Sequence, residues 1–181
     1  YDWQWGIGPQ ENRERWAHWM WMDYDQNCFG TDEFIRFCRE VNTEPVIVVS
    51  VRFERPADEY DQILQNAVNW VRYCNAPATD EWGAKRAANG HPEPFNMKYI
   101  EIGNENYQAN PREQSDHYAE RYIQFYNAIK ARYPEMQVIG NVESWGTDYP
   151  SWRNEHPVDM LDEHYYRSPS WFAGKYHHYD N

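Results

Sequence analysis

The chain has 181 residues, the length of one average domain, and its 17 Lys and Arg against 29 Asp and Glu leave a formal net charge of -12 and a pI near 4.9. That balance repels phosphate backbones and excludes nucleic acid as an expected partner. The longest apolar run, Val46 to Val49, is far short of the roughly 20 residues that span a bilayer, so no membrane partner is expected.

The aromatic content is high for a chain of mean hydropathy -1.05, with 10 Trp, 15 Tyr and 7 Phe. A core absorbs some of these rings. The others suit sugar faces, a partner interface, or rims where their polar ends stay wet, and carbohydrate is the first substrate class to test.

In chain order, Thr31 can cap a helix whose apolar residues Phe34, Phe37, Cys38 and Val41 recur at helical spacing. After Pro45, VIVVSV is a β-branched run of the kind that parallel strands buried on both faces require. A second helix is predicted from about Ala57 to Cys74, with Tyr60, Ile63, Leu64, Ala67, Val71 and Cys74 on one stripe. MKYIEIGNE reads as a short buried strand. A third helix runs from Ser115 to about Arg132, with Tyr118, Tyr122, Phe125, Tyr126 and Ile129 on its buried side and Pro134 ending it. MQVIGNV is a further strand, and VDMLDEHYY a fourth candidate that mixes acidic and apolar residues.

Cys28, Cys38 and Cys74 are odd in number and widely spaced, without a C-x-x-C, so neither a disulfide framework nor a zinc site is indicated. Cys38 and Cys74 fall on apolar helix faces and read as small core residues. The chain starts at Tyr1 with no charged-then-apolar leader, which leaves localisation open.

Helix and strand alternate without a run of hairpin turns, so the fold class expected is α/β with parallel strands and crossover helices. No G-x-G-x-x-G opens a helix, which favours a (β/α)8 TIM barrel over a nucleotide-binding sheet. A barrel takes about 250 residues, whereas four strands are legible here. Residues 1–181 therefore read as a partial, incomplete barrel domain, whose edges and uncovered inner layer favour self-association.

Barrel active sites are built from segments that follow strands. Those segments hold Arg52 and Glu54, Asn104 and Glu105, Glu143 and Trp145, and Glu163, His164, Tyr165 and Tyr166. The stretch 75–96 follows a helix, so its Trp82, Arg86 and His91 are expected to pack. Glu105 stands out because the apolar strand YIEIG delivers it through a glycine into a polar loop. A carboxyl at such a boundary is either partly desolvated and suited to general acid chemistry, or an ordinary solvated strand-end Glu. His177, His178 and Asp180 make a poor chelating set, since adjacent histidines point apart.

KYIEIGNEN resembles the acid/base strand of the family 51 glycoside hydrolases, the α-L-arabinofuranosidases. GNEN alone would indicate only the wider clan of retaining glycosidases with Asn-Glu at the end of barrel strand four. WQWGIGPQENR, FGTDEFIRFC, EPVIVVSV, WGAKRAANGHPEPFNMKY and DEHYYRSP are each similar to segments of that family in the same order.

The resemblance implies that about strands 3 to 6 of the barrel are present. It makes Glu105 the general acid/base and Asn104 the residue that bonds the sugar 2-hydroxyl. Tyr165 matches a tyrosine that contacts the nucleophile, with His164 beside it. Trp21 aligns with a substrate-contacting tryptophan, its other reading being structural packing. The nucleophilic Glu of the family lies on strand seven, beyond Asn181, and neither Glu143 nor Glu163 is expected to replace it. The implied activity is removal of terminal α-L-arabinofuranosyl groups from polysaccharides or oligosaccharides, with no metal and no organic cofactor. The alternatives are an endoglucanase or xylanase of the same clan, or a non-catalytic carbohydrate-binding chain.

Overall fold

Four parallel strands carry the fold of the computed structural model, which describes residues 2–18, 22–51, 57–106, 111–144, 147–148 and 157–180. They are β3 (Val46–Val49), β4 (Tyr99–Ile102), β5 (Gln137–Ser144) and β7 (Met160–Glu163), in the spatial order β3-β4-β5-β7. The short β6 (Thr147–Asp148) turns back antiparallel on the end of β5. A two-stranded antiparallel ribbon, β1 (Trp16–His18) and β2 (Asp23–Asp25), precedes the sheet. The helices are α1 (Thr31–Glu40), α2 (Ala57–Asn75), α3 (Glu81–Ala88), α4 (Pro111–Lys130) and α5 (Pro169–Gly174). This α/β order agrees with the incomplete barrel expected from the sequence. Among the described residues no helix is long and apolar enough to cross a membrane.

Strand periodicity divides the sheet into two unlike faces. Ile47, Val49, Ile100, Ile102 and Val138 are buried together with Val71 of α2 and with Tyr118, Tyr122, Phe125 and Ile129 of α4. The other face carries Val46 and Val48, which are 38 % and 45 % exposed. The expectation that VIVVSV is buried on both faces is therefore corrected: helices cover only one. Cys38 and Cys74 are buried, as their helix positions implied, and Cys28 is exposed.

Near the amino terminus, aromatic rings build the core. Trp3 stacks on Trp70 with centroids 5.5 Å apart and tilts against Tyr73 and Trp82. These contacts assign several of the excess rings to packing.

Two local expectations differ from what forms. The N-cap of α1 is Gly30, not Thr31: the Glu33 carboxylate accepts the Gly30 N–H at 2.9 Å, and the Thr31 hydroxyl instead accepts the Trp70 indole N–H at 3.0 Å. Gly30 is required there, since a Cβ would sit 1.7 Å from the carbonyl oxygen of Gly6. The buried side of α1 is Thr31, Asp32, Ile35 and Cys38, while Phe37 and Val41 are about half exposed.

Secondly, α3 lies within the stretch 75–96. Asp80 caps it by accepting the Trp82 N–H at 2.9 Å. Its Arg86 is fully buried, donating to the carbonyls of Tyr73, His91 and Pro92 at 2.7, 3.0 and 3.2 Å. Trp82 is buried too, and His91 packs its ring on Phe95. All three are packing residues, as their position after a helix implied.

Candidate active site

The end of β4 turns sharply. Gly103 lies in the left-handed region with φ of +80°, and its N–H donates to the carbonyl of Val49 at 2.8 Å. A Cβ there would come within 1.9 Å of the Asn106 side-chain oxygen, the same atom that accepts the Asn104 N–H at 2.8 Å. Glu105 has φ of +50°, a conformation that costs a non-glycine residue about 1–3 kcal/mol. Its result is an aim: the carboxylate meets the segment that follows β7. Glu105 Oε1 is 2.7 Å from His164 Nδ1 and accepts a hydrogen bond from the Tyr166 hydroxyl at 3.0 Å. The Glu105 side chain is only 16 % exposed.

The contacts continue inward. His164 Nε2 lies 2.6 Å from Asp162 Oδ2, so the imidazole bridges two carboxylates. Asp162 also acts on the carboxyl of Glu101, which lies in the middle of β4. Glu101 Oε1 in turn accepts from the side-chain amide of Asn141 at 2.7 Å, and Asn141, on β5, is 1 % exposed.

The electrostatics follow from this line of groups. Burial and the hydrogen bond and charge of Asp162 push Glu101 up to about 7, against the opposing pull of Asn141 and His164. For His164, partial burial works against the charged ring, but its bonds to Glu105 and Asp162 outweigh that and hold its pKa above the usual imidazole value.

Tyr165 turns to a second cluster. Its hydroxyl donates to Glu163 at 3.0 Å and lies 2.9 Å from His178 Nε2, and the Tyr179 hydroxyl donates to the same Glu163 oxygen at 2.6 Å. Burial, then the Tyr179 and Glu163 contacts, raise the Tyr165 hydroxyl above its ordinary pKa. His177 pairs with Asp180 while His178 faces Tyr165, so the adjacent imidazoles have different partners. Among the described residues no group of three or more His, Cys, Asp or Glu side chains is arranged to hold a metal ion.

The structure thus joins Glu105 with His164 and leaves Asn104 exposed beside them, whereas Tyr165 contacts Glu163. Trp21, Arg52, Glu54 and Trp145 lie outside the described residues, as does the side chain of Glu143. Glu101, Asp162 and Asn141 were not singled out from sequence. The available signal was a charged residue inside the apolar strand YIEI.

All of the chain, residues 1–181, matches the family model described as the alpha-L-arabinofuranosidase 1 domain. It is 33% identical to the extracellular exo-alpha-L-arabinofuranosidase of Streptomyces chartreusis, over 100% of this chain and 23% of that protein. It is 30% identical to alpha-L-arabinofuranosidase 1 of Arabidopsis thaliana, over 99% of this chain and 26% of that protein. The chain therefore spans about a quarter of the length of these curated relatives. The arabinose complex of alpha-L-arabinofuranosidase from Thermotoga maritima superposes with a TM-score of 0.74 at 30% identity, over 91% of this chain and 33% of that one. With a matching domain over its full length and a sheet that fits part of an α/β barrel, the chain belongs to the family 51 α-L-arabinofuranosidases.

Proposed function

We propose that this chain supplies the acid/base half of a retaining glycosidase that removes terminal α-L-arabinofuranosyl groups, with Glu105 as the general acid/base. The observation that carries this reading is the setting of Glu105. A strained turn after β4 aims its carboxylate at His164 and Tyr166, two hydrogen-bonding groups from the segment after a different strand.

A retaining reaction needs two carboxyl groups about 5–5.5 Å apart. One attacks the anomeric carbon. The other protonates the leaving oxygen, then takes a proton from the water that hydrolyses the glycosyl ester. Glu105 fits the second role, because its neighbours can hold it as a carboxylate between protonations. The nucleophile is assigned to a Glu of the longer protein, on the barrel strand that follows β7.

Asn104, exposed at the turn beside Glu105, is assigned to the sugar 2-hydroxyl, a bond that strengthens as positive charge develops on the ring. His164 and Tyr165 line the same strand end, and Trp21 is assigned to the substrate. Support for arabinofuranose over other sugars comes from the names of the relatives, which are arabinofuranosidases.

The test is Glu105→Ala in the longer protein that carries this chain, assayed on an activated aryl arabinofuranoside. General acid/base catalysis contributes about 10²–10⁴-fold, so a loss of that order is expected, with external azide restoring turnover. Unchanged hydrolysis would reject the role. Binding of arabino-oligosaccharide with no turnover in the unsubstituted protein would favour a carbohydrate-binding chain instead.

A further inference from the structure

We propose that Asp162 is a positioning residue that acts on the acid/base through His164: its carboxylate holds the ring with Nδ1–H on Glu105 Oε1, which leaves Oε2 as the oxygen that carries the catalytic proton. The proposal rests on the reading of Glu105 given above and adds to it a residue one imidazole away from the reacting atoms.

Strand alternation brings the parts together. Residues 162, 164 and 166 stand two apart along β7 and the segment after it, so their side chains fall on one side. That side meets Glu105. The Tyr166 hydroxyl lies 3.0 Å from Glu105 Oε1, His164 Nδ1 lies 2.7 Å from the same atom, and His164 Nε2 lies 2.6 Å from Asp162 Oδ2. Glu163 and Tyr165, at the intervening positions, bond each other at 3.0 Å instead.

Counting hydrogens decides which group donates. A contact between a ring nitrogen and a carboxyl oxygen needs one hydrogen, from either partner. If Glu105 supplied it to Nδ1, its proton would sit on Oε1 and face the ring rather than a leaving oxygen. That oxygen already accepts the Tyr166 O–H. Two groups converging on Oε1 make it the acceptor, so Nδ1 carries its own hydrogen. At Nε2 the choice lies between the ring and Asp162. Imidazole is the stronger base, with an ordinary pKa near 6.5 against about 3.9 for Asp, so this hydrogen also belongs to the ring. His164 is then an imidazolium, and its raised pKa accords with that.

This distribution leaves Glu105 a proton to give. Before reaction the group is ionised Asp162, imidazolium His164 and neutral Glu105 with its hydrogen on Oε2. Glu105 passes that proton to the leaving oxygen as the nucleophile displaces it. The carboxylate so formed is stabilised by the N–H and O–H already aimed at Oε1. In the second step Oε2 takes a proton from the attacking water. His164 keeps both hydrogens throughout, and the charge of Asp162 holds the second of them on Nε2 while Glu105 is neutral. The described charged groups that act on His164 are Asp162 on its own segment, Glu105 after β4, and Glu101 within β4, whose charge when present also favours the imidazolium.

The test uses the longer protein and two aryl arabinofuranosides. Dinitrophenolate departs without a proton, whereas phenol departs readily only with one. The ratio of kcat/KM for the phenyl substrate to that for the dinitrophenyl substrate therefore reports acid assistance, and the folded fraction of a preparation cancels from it. Asp162→Asn keeps the shape and removes the charge. It should lower the ratio about 10–100-fold, a part of the roughly 10²–10⁴-fold that general acid catalysis contributes. Asp162→Glu returns the carboxylate and should keep the ratio above that of the Asn variant. In a His164→Asn background, adding Asp162→Asn should change the ratio by less than about twofold, because its route to Glu105 is gone.

An unchanged ratio in Asp162→Asn would overturn the proposal, as would equal ratios in the Asn and Glu variants or a fully additive loss in the double variant. Failure of the underlying functional reading looks different: Glu105→Ala would then leave the ratio unchanged.

Discussion

Tyr118 and Asn141 meet where two strands end at the site. The buried Tyr118 hydroxyl accepts the backbone N–H of Asn141 at 2.9 Å and donates to the carbonyl of Ile102 at 2.6 Å. One side chain of α4 therefore fixes the end of β4, from which Glu105 departs, against the part of β5 that holds Asn141.

Tyr118→Phe keeps the ring packed and removes only that link. Leaving buried polar groups without a partner costs about 1–3 kcal/mol, and a loss of that size is expected in urea unfolding. A destabilisation below about 0.5 kcal/mol would mean that the strand ends do not depend on the hydroxyl.

The protonation of Glu101 and His164 sets a direction for stability against pH. The ordinary carboxyl value is 4.5 and Glu101 is pushed up to about 7, so the folded state holds this proton more tightly than the unfolded chain. Its contribution is complete below pH 4.5 and is lost as pH rises through 7. His164 has the same sign: its raised value gives stability that is complete below 6.5 and disappears as pH climbs through the folded value. Unfolding free energy should therefore fall between pH 5 and pH 8. Glu101→Gln should remove roughly 2 kcal/mol of that fall, since each tenfold gain in proton affinity on folding is worth about 1.4 kcal/mol and water at this half-buried site screens part of the effect. A pH dependence unchanged by this substitution would show that folding does not raise the proton affinity of Glu101.

Arg86 provides a test away from the site. Its guanidinium is fully buried and its partners are three carbonyl oxygens, those of Tyr73, His91 and Pro92. Arg86→Met fills much of the volume but leaves all three carbonyls without these donors. The cost should be about 2–4 kcal/mol, at the high end for a single substitution. Arg86→Lys should recover only part of it, because one ammonium cannot match the fork of the guanidinium. Equal stability of the Lys variant and the unsubstituted chain would show that charge alone, not the fork, is what the three carbonyls require.

The alternation of elements was legible because each main helix and strand has an unbroken apolar pattern, as in Ala57–Asn75 and Tyr99–Ile102. Glu105 was legible because a charged residue follows an apolar strand through a glycine. The buried side of α1 was not. Thr31 and Asp32 are polar, yet they are buried because Trp70 and Tyr73 reach them with hydrogen bonds from α2, leaving Phe37 and Val41 at the surface. Burial even raises the Asp32 carboxyl above its ordinary pKa, despite the opposing Tyr73 bond. Neither was the Glu101 line legible, because register, not spacing along the chain, brings β4, β5 and β7 side by side. The turn at Asn104 and Glu105 was readable as a place, but its left-handed backbone and its aim at His164 were not.

The uncovered sheet face leads to the last prediction. Val46, Val48 and Met160 are 38 %, 45 % and 43 % exposed on strands whose opposite face is packed under helices. Val48, Glu101, Ile139 and Met160 share one register line across the sheet, so the apolar residues flank the Glu101 position rather than scattering over the surface. Exposed apolar strands recruit further strands or faces. The isolated chain should therefore self-associate, giving a light-scattering mass above 21.9 kDa that grows with concentration. Val48→Lys places a charge in the middle of that face and should shift the chain toward monomer, whereas Phe37→Lys, on the outer side of α1, should not. A concentration-independent mass of 21.9 kDa for the unsubstituted chain would rule out association through this face.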